Sequence, residues 1–272
     1  MFEQKYNSKG NQVKLRTEDG SWIKLDYLGY ESLSEYVVSS ILKQSNFDSF
    51  VEYDIMTYNG KDIKSAVSCV SKDFRVDGDV EISIYDLFNK YRVIDLYLEI
   101  ENPIRSTEDC ISYIVNEVEA ITGIKEFGKY FTTMIEIDAF FLNEDRHLRN
   151  IILLYNDKTD EFKLAPLFDF GASLLSDTRL YYPLDGDTKQ YMTEVKAKPI
   201  SPDFDEQLEA CRKLYGSHFK FNFSEYLLEN ILDHCSIYYS DKVIDRVRTI
   251  IHSQIRKYAD MVDMVDYLKP TI

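Results

Sequence analysis

The sequence predicts an α+β protein with two lobes, a small β-rich N-terminal lobe with one helix and a larger, mostly helical C-terminal lobe. Two observations favour this fold class. Short alternating segments separated by turn residues fill the first part of the chain, whereas apolar residues three and four positions apart dominate after Glu81. The change falls within residues 74–81, so we assign residues 1–78 to the N-terminal lobe and residues 79–272 to the C-terminal lobe.

The N-terminal lobe is predicted to contain two hairpins and one helix. Asp19-Gly20 and Asn59-Gly60 are dipeptides typical of tight hairpin turns. Leu33, Val37 and Ile41 form one apolar stripe of a helix. The predicted strands are 12–15, 21–25, 51–58 and 63–70, and the predicted helix is 31–45.

The C-terminal lobe is predicted to be helical apart from one hairpin. The strands of this hairpin, 151–155 and 162–165, flank the polar segment 156–160. Apolar residues recur at helical spacing in 82–97, 107–121, 130–141, 223–238 and 240–261. We therefore expect the hairpin to lie between two groups of helices.

Composition and charge limit the functions that this chain can have. Its formal net charge is −15, so it would repel a nucleic-acid backbone, and we expect no direct nucleic-acid binding. We also expect no membrane association, because no apolar run is long enough to span a bilayer and the first residues lack the core of a signal peptide. Scattered cysteines indicate buried reduced thiols and a cytoplasmic location; they are Cys69, Cys110, Cys211 and Cys235.

The segment that carries the predicted chemistry follows an apolar helix and precedes an apolar strand. It contains Asp145-Arg-His-Leu-Arg-Asn150. The five-residue step from Asp145 to Asn150 is the spacing between the base and a metal ligand in kinase catalytic loops. The carboxylate would meet an incoming hydroxyl, while the amide oxygen of Asn150 would hold Mg²⁺ against the phosphates of ATP.

A second carboxylate lies just past the predicted hairpin, in Asp169-Phe-Gly171. Asn150 and Asp169 together would provide the hard oxygen ligands that Mg²⁺ prefers. Asp-Phe-Gly alone is a weak signal, because three-residue matches are common. Gly171 is expected to let the chain leave the strand sharply.

Two residues inside the catalytic segment have open roles. His147 could act as a catalytic base, because an imidazole in general titrates near neutral pH, or it could support the loop by bonding backbone carbonyls near Asp169. Arg146 either pairs with a nearby carboxylate or faces solvent, and the sequence does not decide between these alternatives.

A lysine on the second predicted strand is the candidate phosphate anchor. Lys24 lies in a half-buried strand, and the helix that follows offers Glu35 as its partner, with Glu31 as the rival. The alternative is a lysine at the edge of a hairpin that faces water. Gly10 and Lys14, before and within the first strand, could cover and neutralise the phosphates, although no Gly-x-Gly-x-x-Gly motif is present.

These residues resemble the HipA-like kinases, bacterial serine/threonine kinases whose founding members are toxins of toxin–antitoxin systems. Asp145, His147, Asn150 and Pro166-Leu-Phe-Asp169 match the family pattern, and Lys24 and Glu35 correspond to its strand lysine and helix glutamate. The resemblance implies a bilobal protein-kinase-like fold, ATP and Mg²⁺ as cofactors, and a protein substrate.

The resemblance has further implications for the N-terminus. Residues 8–14 look like the family's Gly-x-Gln-x-Lys phosphate loop, which assigns Gly10, Gln12 and Lys14 to ATP binding. Asn7 stands where the family often has an autophosphorylated serine, with Ser8 beside it, so self-inactivation is in doubt. The chain looks like a short form that lacks the N-terminal subdomain, which would be a separate partner protein or missing.

We expect in-line transfer of the γ-phosphoryl group to a protein hydroxyl, with adenine bonded between the lobes to backbone near Cys69 and Val70. The motif also resembles phosphoinositide lipid kinases, but the charge of −15 argues against an anionic lipid substrate. Two alternatives to an active kinase are a nucleotide-binding pseudokinase and a regulatory partner of a DNA-binding antitoxin.

Overall fold

The computed structural model describes residues 12–60, 63 and 65–266, which group into two compact units. The first unit combines the chain up to Asp73 with Phe168–Val195 and the segment from Lys220 onward. The second unit combines Phe74–Leu167 with Lys196–Phe219. These units are defined by compactness, so the division into functional lobes at residues 78 and 79 stays a prediction.

The helices and strands within the described residues are as follows. The strands are β1 Lys14–Arg16, β2 Trp22–Leu25, β3 Asp54–Tyr58, β4 Ala66–Ser71, β5 Asp79–Ser83, β6 Ile152–Asn156, β7 Glu161–Leu164, β8 Phe221–Phe223 and β9 Val262–Met264. The helices are α1 Glu31–Leu42, α2 Ile84–Tyr91, α3 Leu96–Ile100, α4 Thr107–Thr122, α5 Phe127–Phe141, α6 Thr188–Glu194, α7 Phe204–Tyr215, α8 Glu225–Ser236 and α9 Asp241–Lys257.

The first unit is built around a four-stranded antiparallel sheet in the order β1-β2-β4-β3. Alternation places Leu15, Ile23, Leu25 and Tyr58 together in a buried cluster, as the period of two along a strand requires. Helix α1 packs against β2, β3 and β4. These four strands and one helix confirm the predicted β-rich N-terminal part of the fold.

Helix α1 is buried on nearly all sides, so its buried serines and its two buried glutamates, Glu31 and Glu35, need hydrogen-bond partners. Its first turn is held by carboxylates from outside and inside the helix. Asp26 Oδ1 accepts a hydrogen bond of 2.7 Å from the Ser32 N–H, and Glu31 Oε2 accepts one of 3.0 Å from the Gly29 N–H. The first bond satisfies an amide that the start of a helix leaves unpaired, and the second ties Glu31 to the loop that precedes α1.

The rest of the first unit consists of α6, α8, α9 and the parallel pair of β8 and β9. Helix α9 packs against α6 and α8, and α8 also contacts α1. The predicted helices at 223–238 and 240–261 are thus present as α8 and α9. Their compact grouping with the N-terminal sheet was not expected from their position at the end of the chain.

The second unit combines the antiparallel sheet β5-β6-β7 with α2 to α5 and α7. Helix α5 is buried along its whole length and packs against α4 and α7. It ends at Leu142, whose φ of 55° is left-handed and turns the chain into the catalytic segment. The predicted hairpin then follows as β6 and β7, so this segment is held between a buried helix and a sheet.

The predicted helix at 82–97 is wrong at both ends. The chain forms β5 before it, and α2 begins only after Ser83, whose hydroxyl accepts a hydrogen bond of 3.0 Å from the Asp86 N–H. It stops before Val93, which has a φ of 57° and separates α2 from α3. A side-chain cap and a left-handed residue therefore override the helical spacing of the apolar residues.

Two general expectations can be compared with the structure. All four cysteines are buried and none forms a disulfide, as predicted. Of the helices in the described ranges, none has the length and apolar character needed to cross a bilayer.

Candidate active site

The catalytic segment is folded by bonds to the end of α5. The Asn143 N–H donates to the Asp138 carbonyl oxygen at 2.9 Å, and Asn143 Nδ2 donates to Asp138 Oδ1 at 2.8 Å. Asn143 Oδ1 in turn accepts a hydrogen bond of 3.3 Å from the Asp145 N–H. A buried asparagine thus links the helix to the backbone of the predicted base.

Arg146 provides the second link, through a buried ion pair with Asp138. Its side chain is 1% exposed and that of Asp138 is fully buried. Arg146 Nε and Nη2 bond the two carboxylate oxygens of Asp138 at 2.8 and 3.1 Å, and Nη1 donates to the Asn150 carbonyl at 3.3 Å. Arg146, whose role the sequence did not decide, therefore connects Asn150 to α5 through a bidentate, charge-assisted contact with Asp138.

The same loop orients the side chain of Asn150. Its Nδ2 donates a hydrogen bond of 2.9 Å to the Asp145 carbonyl oxygen, and its backbone N–H donates one of 2.8 Å to the His147 carbonyl oxygen. Because the amide nitrogen is used within the loop, a cation could be bound only through the amide oxygen Oδ1. This is the donor atom that a hard metal ion requires.

Asp145 lies between two cationic or titratable side chains and is about half exposed. Lys198 Nζ is 3.0 Å from Asp145 Oδ1, and His147 Nε2 is 3.9 Å from Asp145 Oδ2. His147 Nδ1 accepts a hydrogen bond of 3.2 Å from the Arg149 N–H. The observed bond of His147 is thus to an amide of its own loop, and a catalytic role for His147 stays a prediction. Lys198 was not identified from the sequence, since it is 53 residues away from Asp145.

The first unit contains a second cluster, centred on Lys24. Lys24 Nζ is 2.6 Å from Glu35 Oε1 and 2.6 Å from Asp169 Oδ1. Glu35 is fully buried, and its other oxygen, Oε2, accepts a hydrogen bond of 2.8 Å from the Phe170 N–H. Glu35 therefore joins the strand lysine to the backbone of Asp169-Phe-Gly171.

The partner of Lys24 is Glu35, whereas the rival Glu31 bonds the backbone amides at the start of α1. The alternative of a water-facing lysine at the edge of a hairpin is wrong, because Lys24 is 6% exposed. Burial alone would lower the pKa of Lys24, but the negative charges of Asp169 and Glu35 raise it well above the ordinary value. Lys24 is therefore a permanently charged group.

Tyr53 completes this cluster and was missed in the sequence. Its hydroxyl accepts hydrogen bonds of 3.4 Å from Lys24 Nζ and from the Asp169 N–H, and its ring centroid is 5.2 Å from Lys24 Nζ. Burial raises the pKa of the Tyr53 hydroxyl, which keeps it neutral. A tyrosine is common in strands, so no feature of the sequence indicates that Tyr53 contacts Lys24.

The backbone of Asp169 has a left-handed conformation, with a φ of 65°. Asp tolerates this region better than most residues. Gly171 is not among the residues with positive φ, so the expectation that Gly171 makes the sharp turn is corrected. The turn is made at Asp169 itself, which directs its carboxylate to Lys24.

The predicted phosphate loop is described only from Gln12 onward; Gly10, with Asn7 and Ser8, lies outside the described residues. Lys14 pairs directly opposite Lys24 in the ladder of β1 and β2, and its Nζ is 4.0 Å from Asp169 Oδ1. Gln12 Nε2 is buried without a hydrogen-bond partner among the described residues. Two facing lysines and an unsatisfied donor fit an incoming anion, such as a phosphate group.

Cys69 and Val70 lie in β4, the strand that runs between β2 and β3. Cys69 pairs with Lys24 on one side and Ile55 on the other, and Val70 is likewise paired with both neighbouring strands. Their backbone groups are therefore committed to the sheet. The adenine contact at Cys69 and Val70 stays a prediction, and it would require backbone groups that already pair within the sheet.

The residues present fit Mg²⁺ and a nucleotide in chemical terms. Asn150 offers a neutral amide oxygen and Asp169 a carboxylate, which are ligand types that Mg²⁺ takes alongside phosphate oxygens. Lys14, Lys24 and Gln12 offer donors to phosphates.

Comparisons with known proteins concern the fold. No protein-family sequence model matches this chain, and no curated protein sequence matches it. Among solved structures, the chain is similar to the proinflammatory kinase CtkA of Helicobacter pylori, with a TM-score of 0.63 and 18% identity, over 95% of this chain and 92% of CtkA.

Two further similarities are weaker. HipA of Shewanella oneidensis, solved with HipB and operator DNA, has a TM-score of 0.45 and 11% identity over 94% of this chain and 65% of that one. The PAN3 pseudokinase of Neurospora crassa has a TM-score of 0.32 and 11% identity, over 88% of this chain and 51% of that one. The match to CtkA spans nearly all of both chains, so this chain has a kinase fold, in agreement with the predicted kinase-like α+β fold class.

Proposed function

We propose that the chain is an ATP-dependent serine/threonine protein kinase that transfers the γ-phosphoryl group of ATP to a protein hydroxyl. The observation that carries this proposal is the buried contact of Lys24 with Glu35 and Asp169, within a kinase fold. A lysine on a strand that is clamped by a helix glutamate and placed beside a carboxylate is the phosphate anchor of protein kinases.

The lysines would bind the phosphates of ATP. Lys24 is held in one position by Glu35, so little side-chain freedom is lost when it contacts a phosphate oxygen. Lys14, directly opposite on β1, would add a second positive charge, and Gln12 Nε2 would donate the hydrogen bond that it lacks among the described residues. These groups orient the triphosphate and offset its charge.

Asn150 and Asp169 would hold Mg²⁺, which when bound offsets negative charge on the phosphate oxygens. Asp145 would orient the acceptor hydroxyl and take its proton. The hydroxyl oxygen then bonds to the γ-phosphorus as the bond to the bridging oxygen of ADP breaks. The ion pair of Arg146 with Asp138 would hold the loop that contains Asp145 and Asn150 in place during this step.

The adenine contact is proposed for residues 72–73, where the ladder pairing of β4 ends. Backbone groups there are outside the paired part of β4, unlike those of Cys69 and Val70. Lys72→Pro would remove the backbone N–H of residue 72, and weaker ATP binding by this variant, measured by calorimetry, would support this location.

The central experiment compares the wild-type protein with Asp145→Asn and Asp169→Asn. Turnover is measured as ³²P transfer from γ-labelled ATP to the chain itself and to dephosphorylated casein. We expect both variants to lose at least about a hundredfold in rate, and Asp145→Asn, whose side chain is about half exposed, to keep the wild-type melting temperature. Transfer by Asp145→Asn at the wild-type rate would contradict the role of Asp145.

A nucleotide-binding pseudokinase is the second candidate, and one observation favours it. Lys24 bonds Asp169 directly at 2.6 Å, so the carboxylate assigned to Mg²⁺ is engaged by a lysine. If this contact persists with nucleotide, ATP would raise the melting temperature equally with and without Mg²⁺, and no labelled phosphate would be transferred. An active kinase would instead show a larger shift with Mg²⁺ and measurable transfer.

The biological setting is proposed from the resemblance to HipA-like kinases. We propose a cytoplasmic protein whose partners are a protein substrate and an antitoxin or a separate N-terminal-subdomain protein, with no direct contact to nucleic acid or membrane. Expression with an affinity tag in the native host, followed by identification of co-purified proteins, tests this setting. A DNA-binding protein recovered in equal molar amounts would support an antitoxin partner.

A further inference from the structure

A lysine outside the predicted motif contacts the candidate catalytic base. Lys198 Nζ is 3.0 Å from Asp145 Oδ1, and both residues belong to the second compact unit. The other carboxylate oxygen, Oδ2, lies 3.9 Å from His147 Nε2. The two oxygens of Asp145 thus have different neighbours, since Oδ1 contacts the Lys198 side chain and Oδ2 faces the imidazole of its own loop.

The chain around Lys198 is fixed while its side chain is exposed. The Lys198 carbonyl oxygen accepts a hydrogen bond of 3.0 Å from Nε2 of Gln207, a fully buried residue of α7. The neighbouring Ala197 is buried, and its N–H donates to the Pro202 carbonyl at 2.9 Å. A backbone anchored in this way presents the lysine side chain from a defined point, so the contact with Asp145 does not depend on a mobile loop.

We propose that Lys198 is a positioning residue for phosphoryl transfer, which acts by holding Asp145 through Oδ1 so that Oδ2 is directed to the acceptor hydroxyl. This inference rests on the proposed kinase function. The lysine also offsets the repulsion between the Asp145 carboxylate and the phosphates of ATP, which carry charge of the same sign. A base held in one orientation by a neighbouring side chain needs less reorganisation to reach the reactive geometry.

The contact between Lys198 and Asp145 is suited to this role and poorly suited to stabilising the fold. Both side chains are about half exposed, at 49% and 48%. Exposed ion pairs contribute little to folding stability because water and salt screen them. Loss of Lys198 should therefore change the rate of phosphoryl transfer without changing the melting temperature, whereas a structural lysine would do the reverse.

The test compares Lys198→Met, which removes the charge, with Lys198→Arg, which keeps it. Lys196→Met is the matched control, because Lys196 is an exposed lysine two residues away in the same segment. Full-length variants are assayed by ADP release, first at varied ATP with saturating dephosphorylated casein and then at varied casein with saturating ATP. We expect Lys198→Met to lower kcat about 10- to 100-fold and to change the KM for ATP less than about threefold. Lys198→Arg should recover most of the rate, and Lys196→Met should match the wild-type protein.

A double variant separates action through Asp145 from independent action. If Lys198 works by positioning Asp145, adding Lys198→Met to Asp145→Asn should cause no further loss of rate. An additional loss of the same size in the Asp145→Asn background would overturn the inference.

Three other results are equally decisive. A rate for Lys198→Met equal to that of Lys196→Met would refute the positioning role. A raised KM for casein with an unchanged kcat would show that Lys198 binds the acceptor protein instead. A wild-type protein that binds ATP but releases no ADP would overturn the proposed kinase function, and therefore also the proposed role of Lys198 in phosphoryl transfer.

Discussion

The buried ion pair between Arg146 and Asp138 predicts a large loss of stability when one partner is removed. Arg146→Met keeps much of the apolar volume of the side chain but leaves the Asp138 carboxylate without its cation. That carboxylate is fully buried at the end of α5, so water cannot replace the guanidinium. The cost is that of an uncompensated buried charge, about 3–5 kcal/mol of unfolding free energy.

This magnitude follows from the number and type of contacts. Arg146 forms two bonds with the Asp138 carboxylate, at 2.8 and 3.1 Å, and one with the Asn150 carbonyl at 3.3 Å. The remaining partner, Asn143 Nδ2, bonds one carboxylate oxygen and supplies no net charge. With about 2–4 °C of melting temperature per kcal/mol for a chain of this size class, the expected decrease is roughly 6–20 °C.

The measurement is urea unfolding followed by circular dichroism, together with calorimetry. Lys213→Met is the matched control, because Lys213 pairs with Glu108 at 2.7 Å on the surface and is 68% exposed. It should change the unfolding free energy by less than about 1 kcal/mol. A loss below about 1 kcal/mol for Arg146→Met would refute the reasoning. The double variant of Arg146→Met with Asp138→Leu should recover most of the lost unfolding free energy, since no charge is then left buried.

Three further predictions concern the first unit. Lys24→Met should weaken ATP binding about tenfold or more. An unchanged ATP affinity in calorimetry would show that another cationic residue binds the phosphates. Arg246→Met should lower the unfolding free energy by about 2–4 kcal/mol in urea titrations, because the buried Arg246 donates to the carbonyls of Tyr182 and Pro183. A loss as small as that expected for an exposed ion pair would contradict this prediction. Burial raises the pKa of Asp26 to about 6, so its ionisation destabilises the fold between about pH 4 and 6 by up to about 3 kcal/mol. Asp26→Asn should therefore gain stability relative to the wild type as the pH rises through this window, and a pH-independent difference would exclude this effect.

The parts of the fold that could be predicted are those encoded by local pattern. Asp19-Gly20 and Asn59-Gly60 lie at the turns of the two N-terminal hairpins, and the apolar stripe of α1 is fully buried. The limits of α4 and α5 agree with the predicted helices within a few residues. In each case the turn chemistry or the side-chain period within one element is enough to specify it.

The parts that could not be predicted depend on contacts between distant segments. β5 has few apolar residues and becomes a strand by pairing with β6, which lies some 70 residues later in the chain. The short α6 also escaped prediction, since it has no fully buried residue and thus no apolar stripe. Elements of this kind are stabilised by their neighbours, so the pattern of their own residues is weak.

The same distinction applies to the candidate site. Lys24 and Glu35 could be paired from sequence because strand and helix are adjacent in the chain. Tyr53 and Lys198 could not, because nothing in their own segments marks them. Asp138 could have been found, because a carboxylate in the apolar segment at the end of α5 must have a partner if that segment is buried.

A chain with a net charge of −15 can bind an anion only where its cations are locally concentrated, and Lys14 and Lys24 are concentrated in this way. Lys14 and Lys24 face each other on neighbouring strands, an arrangement that is unfavourable unless negative charge lies between them. Asp169 supplies that charge, at 2.6 Å from Lys24 and 4.0 Å from Lys14. If a phosphate group took its place, the lysines would stay compensated and the Asp169 carboxylate would be released for a cation. We therefore expect nucleotide and Mg²⁺ to bind cooperatively. The phosphates would compensate the lysines in place of Asp169, and Mg²⁺ would compensate the carboxylate that is then released.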